Sequence, residues 1–350
     1  MNLFFELLQV SLGTRDELSR VPSAREWNAL YDEAEWQAIV GGLLGGLERL
    51  PEEQLPPLDV KLQWIGMVQM MEAEYRLHCE RAAELTAQFR DAGFKICLLK
   101  GIGAAQNYPN PSRRQCGDID LWVDGSRKDI TAFVRSFDKE VKPKFKDIAF
   151  PYKETEVEAH FIPTYLNNFR YNKRLKRYID DNRQWQFDHW VEVGEGLRIC
   201  IPTDDFNVIY QMAHLFHHFF CEGIGMRHFV DYFYLLKSEE VRSKKEELRL
   251  KLSEFRMLKF ARGVMWVLHE KLGLERQYLV AEPDEKVGKL ILKQIQEYGN
   301  FGNKEFEGKS SQQVKVSNTL RPLKYLWHFP GASIDRLVFM GWLQGWKMMN

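Results

Sequence analysis

The period of apolar and polar residues changes twice along the chain and divides it into three zones. Residues 1 to about 92 read as helical, ending in a long helix after Pro56-Pro57. In that helix Leu58, Leu62, Ile65, Val68, Met71, Tyr75, Cys79, Ala82 and Phe89 recur mostly at steps of three and four, a stripe for packing on a core or a neighbouring lobe. From Phe94 the pattern shortens. KICLLK predicts a strand, glycines and a short helix follow, YPNPSRR is a loop, and IDLWV is a second strand. Asp124 or Ser126 then caps a helix whose Ile130, Phe133, Val134 and Phe137 share one face. Two further strands are expected, near Lys146 to Tyr152 and Glu154 to Phe161. A basic, aromatic segment, RYNKRLKRYIDDNRQW, leads to a hairpin turning at Gly194-Glu195-Gly196 between WVEV and LRICI. Beyond Pro202-Thr203 the chain is largely helical, closing on an amphipathic, Trp- and Met-rich helix from Ser333 to Met349.

The order predicts an α+β protein: a mixed-sheet core over residues 93–201, preceded by an N-terminal helical segment (1–92) and followed by a C-terminal helical lobe (202–350). Its 350 residues are 45% hydrophobic and 28% charged, which fits a soluble globular chain. Lys plus Arg and Asp plus Glu cancel at 49 each, so there is no global positive field for nucleic acid and an anionic ligand must be held locally. Arg170 to Arg183 includes Asp180 and Asp181 and reads as a solvated face before a nucleic-acid groove. The Met1 region lacks a basic segment and cleavage site, and the run Ala38 to Leu47 is too short to span a bilayer, so a cytoplasmic chain without a membrane partner is expected. Five cysteines without a CxxC pair read as free thiols. The final helix suits lobe packing or a dimer seam better than a membrane anchor, which leaves a homodimer open.

The candidate chemistry starts at CGDIDLWVD. Residues i and i+2 of a strand point the same way, so Asp118 and Asp120 share one face while Ile119 and Leu121 share the other. Aspartate is disfavoured in strands, and this pair interrupts an apolar run directly after Gly117. Two carboxylates facing a common point suit one hard divalent ion or a pair of them, Mg²⁺ or Mn²⁺ rather than zinc. In ETEVEAHF, Glu154, Glu156, Glu158 and His160 share one parity and Thr155, Val157, Ala159 and Phe161 the other. If that strand pairs beside IDLWV with polar faces aligned, a third carboxylate joins the aspartates, and register decides which glutamate it is. Upstream, Leu99-Lys100-Gly101-Ile102-Gly103 predicts a strand entering a glycine turn and a short helix, where backbone N–H groups can receive a phosphate beside Lys100. The turn is not a Walker A loop, and Gly308-Lys309-Ser310 lacks the upstream glycine of one.

Asn207, Gln211, His214, His218 and Glu222 form a polar stripe on an otherwise apolar helix. It either lines a cleft that meets base, ribose or acceptor, or is an ordinary solvated or internally bonded face. A zinc site on His214 and His218 is disfavoured, because Leu215 stands where the zincin motif has Glu. Arg227, His228 and Asp231 begin the next helix, where Arg227 and Asp231 either pair at i, i+4 or bind a ligand.

Together LLKG (Leu98 to Gly101), RQCGDID (Arg114 to Asp120), EAH (Glu158 to His160) and HLFHHFFCEGIGMRHFVD (His214 to Asp231) resemble the uncharacterised bacterial nucleotidyltransferases of the DNA polymerase beta-type superfamily. The resemblance implies transfer of a nucleoside monophosphate from a nucleoside triphosphate, ATP by default, to an acceptor, with release of pyrophosphate. It makes Asp118 and Asp120 metal ligands, Glu158 (or Glu156) the third carboxylate and acceptor activator, and two Mg²⁺ or Mn²⁺ ions the cofactors. It implies nucleotide contacts from Lys100, Gly101, Arg114, Gly117, His160, His214, Arg227 and Asp231. The chain departs from the wider superfamily at Gly101-Ile102, where many members have Gly-Ser or Gly-Gly, and Lys100 or Arg114 is the candidate replacement for the serine contact. A small-molecule acceptor is expected. The rivals are a catalytically silent nucleotide-binding or interaction module and a toxin-like enzyme acting on a protein or tRNA.

Overall fold

The structure, a computed structural model, describes residues 2–194, 196–302 and 306–349. Glu195, the middle of the expected hairpin turn, lies outside the described residues. The chain forms two compact units: Met1–Tyr31, Ile39–Thr164 and Asp180–Asn207 make the first, and Asp32–Ala38, Tyr165–Ile179 and Val208–Asn350 the second.

The first unit holds helices α1 (Leu3–Leu12), most of α2 (Ala24–Trp36), α3 (Val40–Leu47) and α4 (Leu58–Asp91), followed by a four-stranded mixed sheet. Its strands are β1 (Lys95–Leu98), β2 (Ile119–Asp124), β3 (Asp147–Tyr152) and β4 (Thr155–His160), in the order β1-β2-β4-β3. β2 runs antiparallel to β1 and parallel to β4, and β3 closes the edge as an antiparallel partner of β4. The single-turn α5 (Ile102–Ala105) follows β1, and α6 (Arg127–Val134) follows β2. One apolar parity of the strands, with Ile96, Leu98, Ile119, Leu121, Val123, Ile148, Phe150, Val157 and Ala159, packs with Tyr75, Cys79, Ala82, Leu85 and Phe89 of α4 and Ile130 and Val134 of α6 in one core. Burying that parity turns the polar parity to the opposite face.

Two expectations are corrected here. The stripe of α4 starts elsewhere: Leu58 is 70% and Leu62 57% exposed, while Val60, Trp64 and Val68 are buried. Trp64 decides the rotation, because its large ring is stacked edge-on against Tyr31 at 5.1 Å and its indole N–H donates to the Val40 carbonyl at 2.9 Å. The helix expected through Phe137 ends at Val134, although the Phe137 ring still packs on Phe150 at 5.1 Å. Ser126 is its cap, accepting from the Asp129 N–H at 3.2 Å. The basic segment is the helix α7 (Phe169–Asp188), and the hairpin strands are β5 (Trp190–Val193) and β6 (Leu197–Cys200).

The second unit is helical. It takes most of α8 (Asp204–Cys221), then α9 (Met226–Leu236), α10 (Glu239–Ser243), α11 (Lys245–Glu254), α12 (Leu258–Leu272), α13 (Glu285–Tyr298), and helices over Ser311–Lys324 and Pro330–Met349. Close approach of α12 and α13 depends on glycine: a Cβ on Gly288 would lie 2.3 Å from the Trp266 ring, and one on Gly263 2.4 Å from Val287. Gln37 ties this unit together, its Oε1 accepting from the Met226 N–H at 2.8 Å and its Nε2 donating to the Ile295 carbonyl at 3.0 Å. Among the described residues no helix is long and apolar enough to cross a membrane, and all five cysteines are buried free thiols.

Candidate active site

The site is fixed by the register of β2 against β4. Ile119 pairs with Val157, Asp120 with Glu158 and Trp122 with His160, so the buried apolar residues of both strands lie on one face and the polar ones face the other together. One ligand atom each from Asp120, Glu158 and His160 falls within 4.8 Å of the others, and among the described residues this is the one such cluster of three or more metal-ligating side chains. His214 and His218 thus have no cluster of that kind around them. Glu156 is exposed and pairs with Pro151 on the β3 side, while Glu154 holds Arg81 of α4 at 2.6 Å. Of the three glutamates sharing that parity, Glu158 is the one opposite Asp120. Asp118 stands immediately before β2, exposed, on the parity of Asp120.

Asp120 is buried and its Oδ1 receives two donors, Lys100 Nζ at 2.7 Å and His160 Nε2 at 2.8 Å. Burial by itself would raise the Asp120 carboxyl, but the Lys100 ammonium and the His160 hydrogen bond outweigh it and hold the group well below the usual carboxylate range. Asp118 moves the other way. The Asp120 charge pushes it up, with Lys100 giving partial relief and Glu158 adding to the repulsion. Burial weakens the Lys100 charge, yet Asp120, Asp118 and Glu158 together raise its ammonium above the ordinary lysine value. The same atoms thus contain an unequal carboxylate pair and a permanent countercharge.

Glu158 is flanked by cations that strand periodicity did not single out. Lys144 Nζ lies 3.6 Å from Oε1 and Lys146 Nζ 3.8 Å from Oε2, and both also approach the buried Asp147 carboxylate. The alternating lysines of VKPKFK, directly before β3, are the sequence signal for them. His78 was missed as well: it sits on the buried stripe of α4, and its Nε2 lies 2.7 Å from the Gly117 carbonyl, bracing the loop that delivers Asp118. Beyond the carboxylates on the same face, Trp122 packs against Phe187 at 4.8 Å and lies under the Arg183 guanidinium at 5.6 Å.

The remaining predicted residues fall in different surroundings. Gly101 has φ +50° and ψ −116°, a conformation that side-chain-bearing residues avoid, and the Asp118 carbonyl lies 3.6 Å from where its Cβ would be. Gly117 is exposed with open space around it. Arg114 is buried, its Nη1 donating to the Gln115 carbonyl at 3.3 Å. His214, Arg227 and Asp231 belong to the second unit. There the His214 ring lies 4.3 Å from His218 and 6.0 Å from His228, the Arg227 guanidinium stands 5.8 Å over Phe301, and Asp231 is buried.

The donor set fits a hard divalent cation. It is oxygen-rich, carried on two adjacent strands, and His160, whose Nδ1 is buried without a hydrogen-bond partner among the described residues, orients the central carboxylate through its other nitrogen.

A solved structure of an antigenic nucleotidyltransferase-like protein from Paracoccidioides brasiliensis is similar at 11% identity, over 60% of this chain and 95% of that one, with a TM-score of 0.36. The search of curated proteins returns no match. The profile of the family described as uncharacterised nucleotidyltransferase matches residues 23–273, a span that contains the whole four-stranded sheet and α8 and α9. With well over half of its length accounted for in this way, the chain belongs to that nucleotidyltransferase family.

Proposed function

We propose that the protein transfers a nucleoside monophosphate from a nucleoside triphosphate, ATP by default, to a small-molecule acceptor and releases pyrophosphate, with Mg²⁺ or Mn²⁺ as cofactor. The observation that carries this reading is the parallel register that sets Glu158 opposite Asp120, with Asp118 two residues upstream on the same face. In the reaction an acceptor oxygen bonds to the α-phosphorus, the bond from that phosphorus to the bridging oxygen of the β-phosphate breaks, and the acceptor proton passes to a base. Glu158 is the candidate base, within reach of the cluster yet partly open, with Lys144 and Lys146 beside it. Asp118, Asp120 and Glu158 would hold two ions, which supply charge neutralisation on the attacking and leaving oxygens. Lys100 keeps Asp120 ionised and adds positive charge next to the Gly101 turn, which faces the polyphosphate in this reading. His160 fixes the orientation of Asp120 through its 2.8 Å hydrogen bond.

The test is pyrophosphate release by the purified full chain with Mg²⁺, each nucleoside triphosphate in turn, and a small-molecule extract as acceptor source. Release that requires extract and is lost in Asp118→Asn supports the reading. Triphosphate binding without pyrophosphate release from any extract favours the silent binding module, and a nucleotide adduct found by mass spectrometry on protein or tRNA favours the toxin-like reading.

A further inference from the structure

The second unit contains a cavity of about 190 Å³, and every residue lining it belongs to that unit. An apolar cavity of roughly 150 Å³ suffices for a benzene-sized ring. Its walls carry Tyr171, Phe216, Phe255 and Phe329, and two cations, Arg256 and Lys259, line it as well. Neither cation is paired with a carboxylate among the described residues; each lies over an aromatic wall instead, Arg256 at 5.6 Å from the Tyr171 ring centre and Lys259 at 5.1 Å from that of Phe329. Both residues are exposed; Lys259 gives one donor to the His328 carbonyl and Arg256 one to the Tyr171 hydroxyl at 3.4 Å, which leaves their other N–H groups open to water or to an anion. Asp335, the acid in the lining, is engaged by the Asn168 amide at 2.9 Å.

Two more observations point to a ligand. Arg256, the residue after the C-cap Phe255 of α11, has φ +60°, and the Met257 N–H next to it reaches back to the Leu252 carbonyl at 2.8 Å. Such helix ends normally use glycine, so an arginine here holds a guanidinium at the cavity in a backbone conformation that side chains disfavour. His328, also in the lining, has its Nδ1 buried without a hydrogen-bond partner among the described residues.

We propose that this cavity is a binding site for a small aromatic carboxylate, its ring between the aromatic walls and its carboxylate on Arg256 and Lys259. Aromatic walls take the ring face and edge, and the two cations offer charge-assisted hydrogen bonds to a planar anion. The cavity is built from the second unit and the carboxylate cluster from the first, and the proposal does not depend on nucleotide transfer.

Fluorine NMR of the full chain with 4-fluorobenzoate and the neutral isostere 4-fluorobenzamide tests it. Saturable binding of the benzoate in the millimolar range or tighter is expected, with the benzamide weaker by about tenfold or more. Lys259→Met and Arg256→Gly should each weaken benzoate by roughly tenfold, and Ala332→Trp, which fills the cavity, should abolish binding. Arg256→Gly relieves the backbone, so it should melt no lower than wild type and remains decisive if Ala332→Trp fails to fold. Absence of saturable binding, equal affinity for benzoate and benzamide, or benzoate affinity unchanged in both folded cation variants overturns the proposal.

Discussion

Lys100 Nζ lies 2.7 Å from Asp120 Oδ1, the same oxygen that His160 Nε2 meets at 2.8 Å. This pairing makes Asp120 the structural centre of the cluster and leaves Asp118, exposed and raised by its neighbour's charge, as the carboxylate most open to a ligand. The two aspartates, equivalent by strand parity, therefore differ in what their removal does.

Asp118→Asn should lose transfer activity and unfold at the same denaturant concentration as wild type. Asp120→Asn should lose activity and also stability, by roughly 2 kcal/mol, because the half-buried Lys100 ammonium is left with no carboxylate on it. Adding Lys100→Met to Asp120→Asn should restore much of that stability and none of the activity. Urea melts of the three variants read this directly; wild-type stability in Asp120→Asn would show that the pair carries no structural weight.

Register makes a second distinction. Glu158 sits opposite Asp120, whereas Glu156 is exposed beside Pro151. Turnover of Glu158→Gln should fall by about 100-fold or more, and that of Glu156→Gln should change by less than about threefold. Similar losses in both would move the third carboxylate away from the Asp120 register.

A third prediction concerns pH. Burial, reinforced by Arg227, depresses His228 from its ordinary value to about 3. Because the unfolded chain takes up this proton near pH 6.5 and the folded chain does not, the stabilisation is full above that pH and declines as pH falls toward 3. The contribution approaches roughly 1.4 kcal/mol per pH unit inside this window. His228→Gln should flatten that slope by about one proton in denaturation measured between pH 6.5 and 4; an identical slope in the variant would show that His228 protonates in the folded state.

Packing in the second unit gives a fourth. Gly288→Ala puts a methyl group into the Trp266 ring, a contact of 2.3 Å before relaxation, and should cost about 2 kcal/mol despite alanine's better helix propensity. A stabilised variant in thermal or urea melts would mean that α12 and α13 separate without penalty.

Much of the site was legible because a strand has a period of two. Parity alone put Asp118 with Asp120, and Glu158 with His160, and the apolar alternate residues said which face would be buried. Which glutamate stands opposite Asp120 was not legible, since it depends on the pairing of β2 with β4, a contact across some forty residues of intervening chain. Lys144, Lys146 and His78 escaped for the same reason: each reaches the site through tertiary contact, and His78 lies on a helix stripe that reads as core. Helix existence was clearer than helix rotation. On α4 the pattern began with Leu58 and Leu62, but the ring of Trp64 and its bond to Val40 turn the first two turns toward Val60 instead. Fold class followed from the change of period near Phe94, and the Asp/Glu spacing with the Lys-Gly turn carried the family.

The most direct measurement is Mn²⁺ titration by water-proton relaxation, with and without a non-hydrolysable ATP analogue, on wild type and Asp118→Asn. Saturable Mn²⁺ uptake that tightens with the analogue and weakens by about 100-fold in the variant is the outcome expected of carboxylates that grip the ion. Mn²⁺ and nucleotide affinities indistinguishable between the two proteins would contradict it.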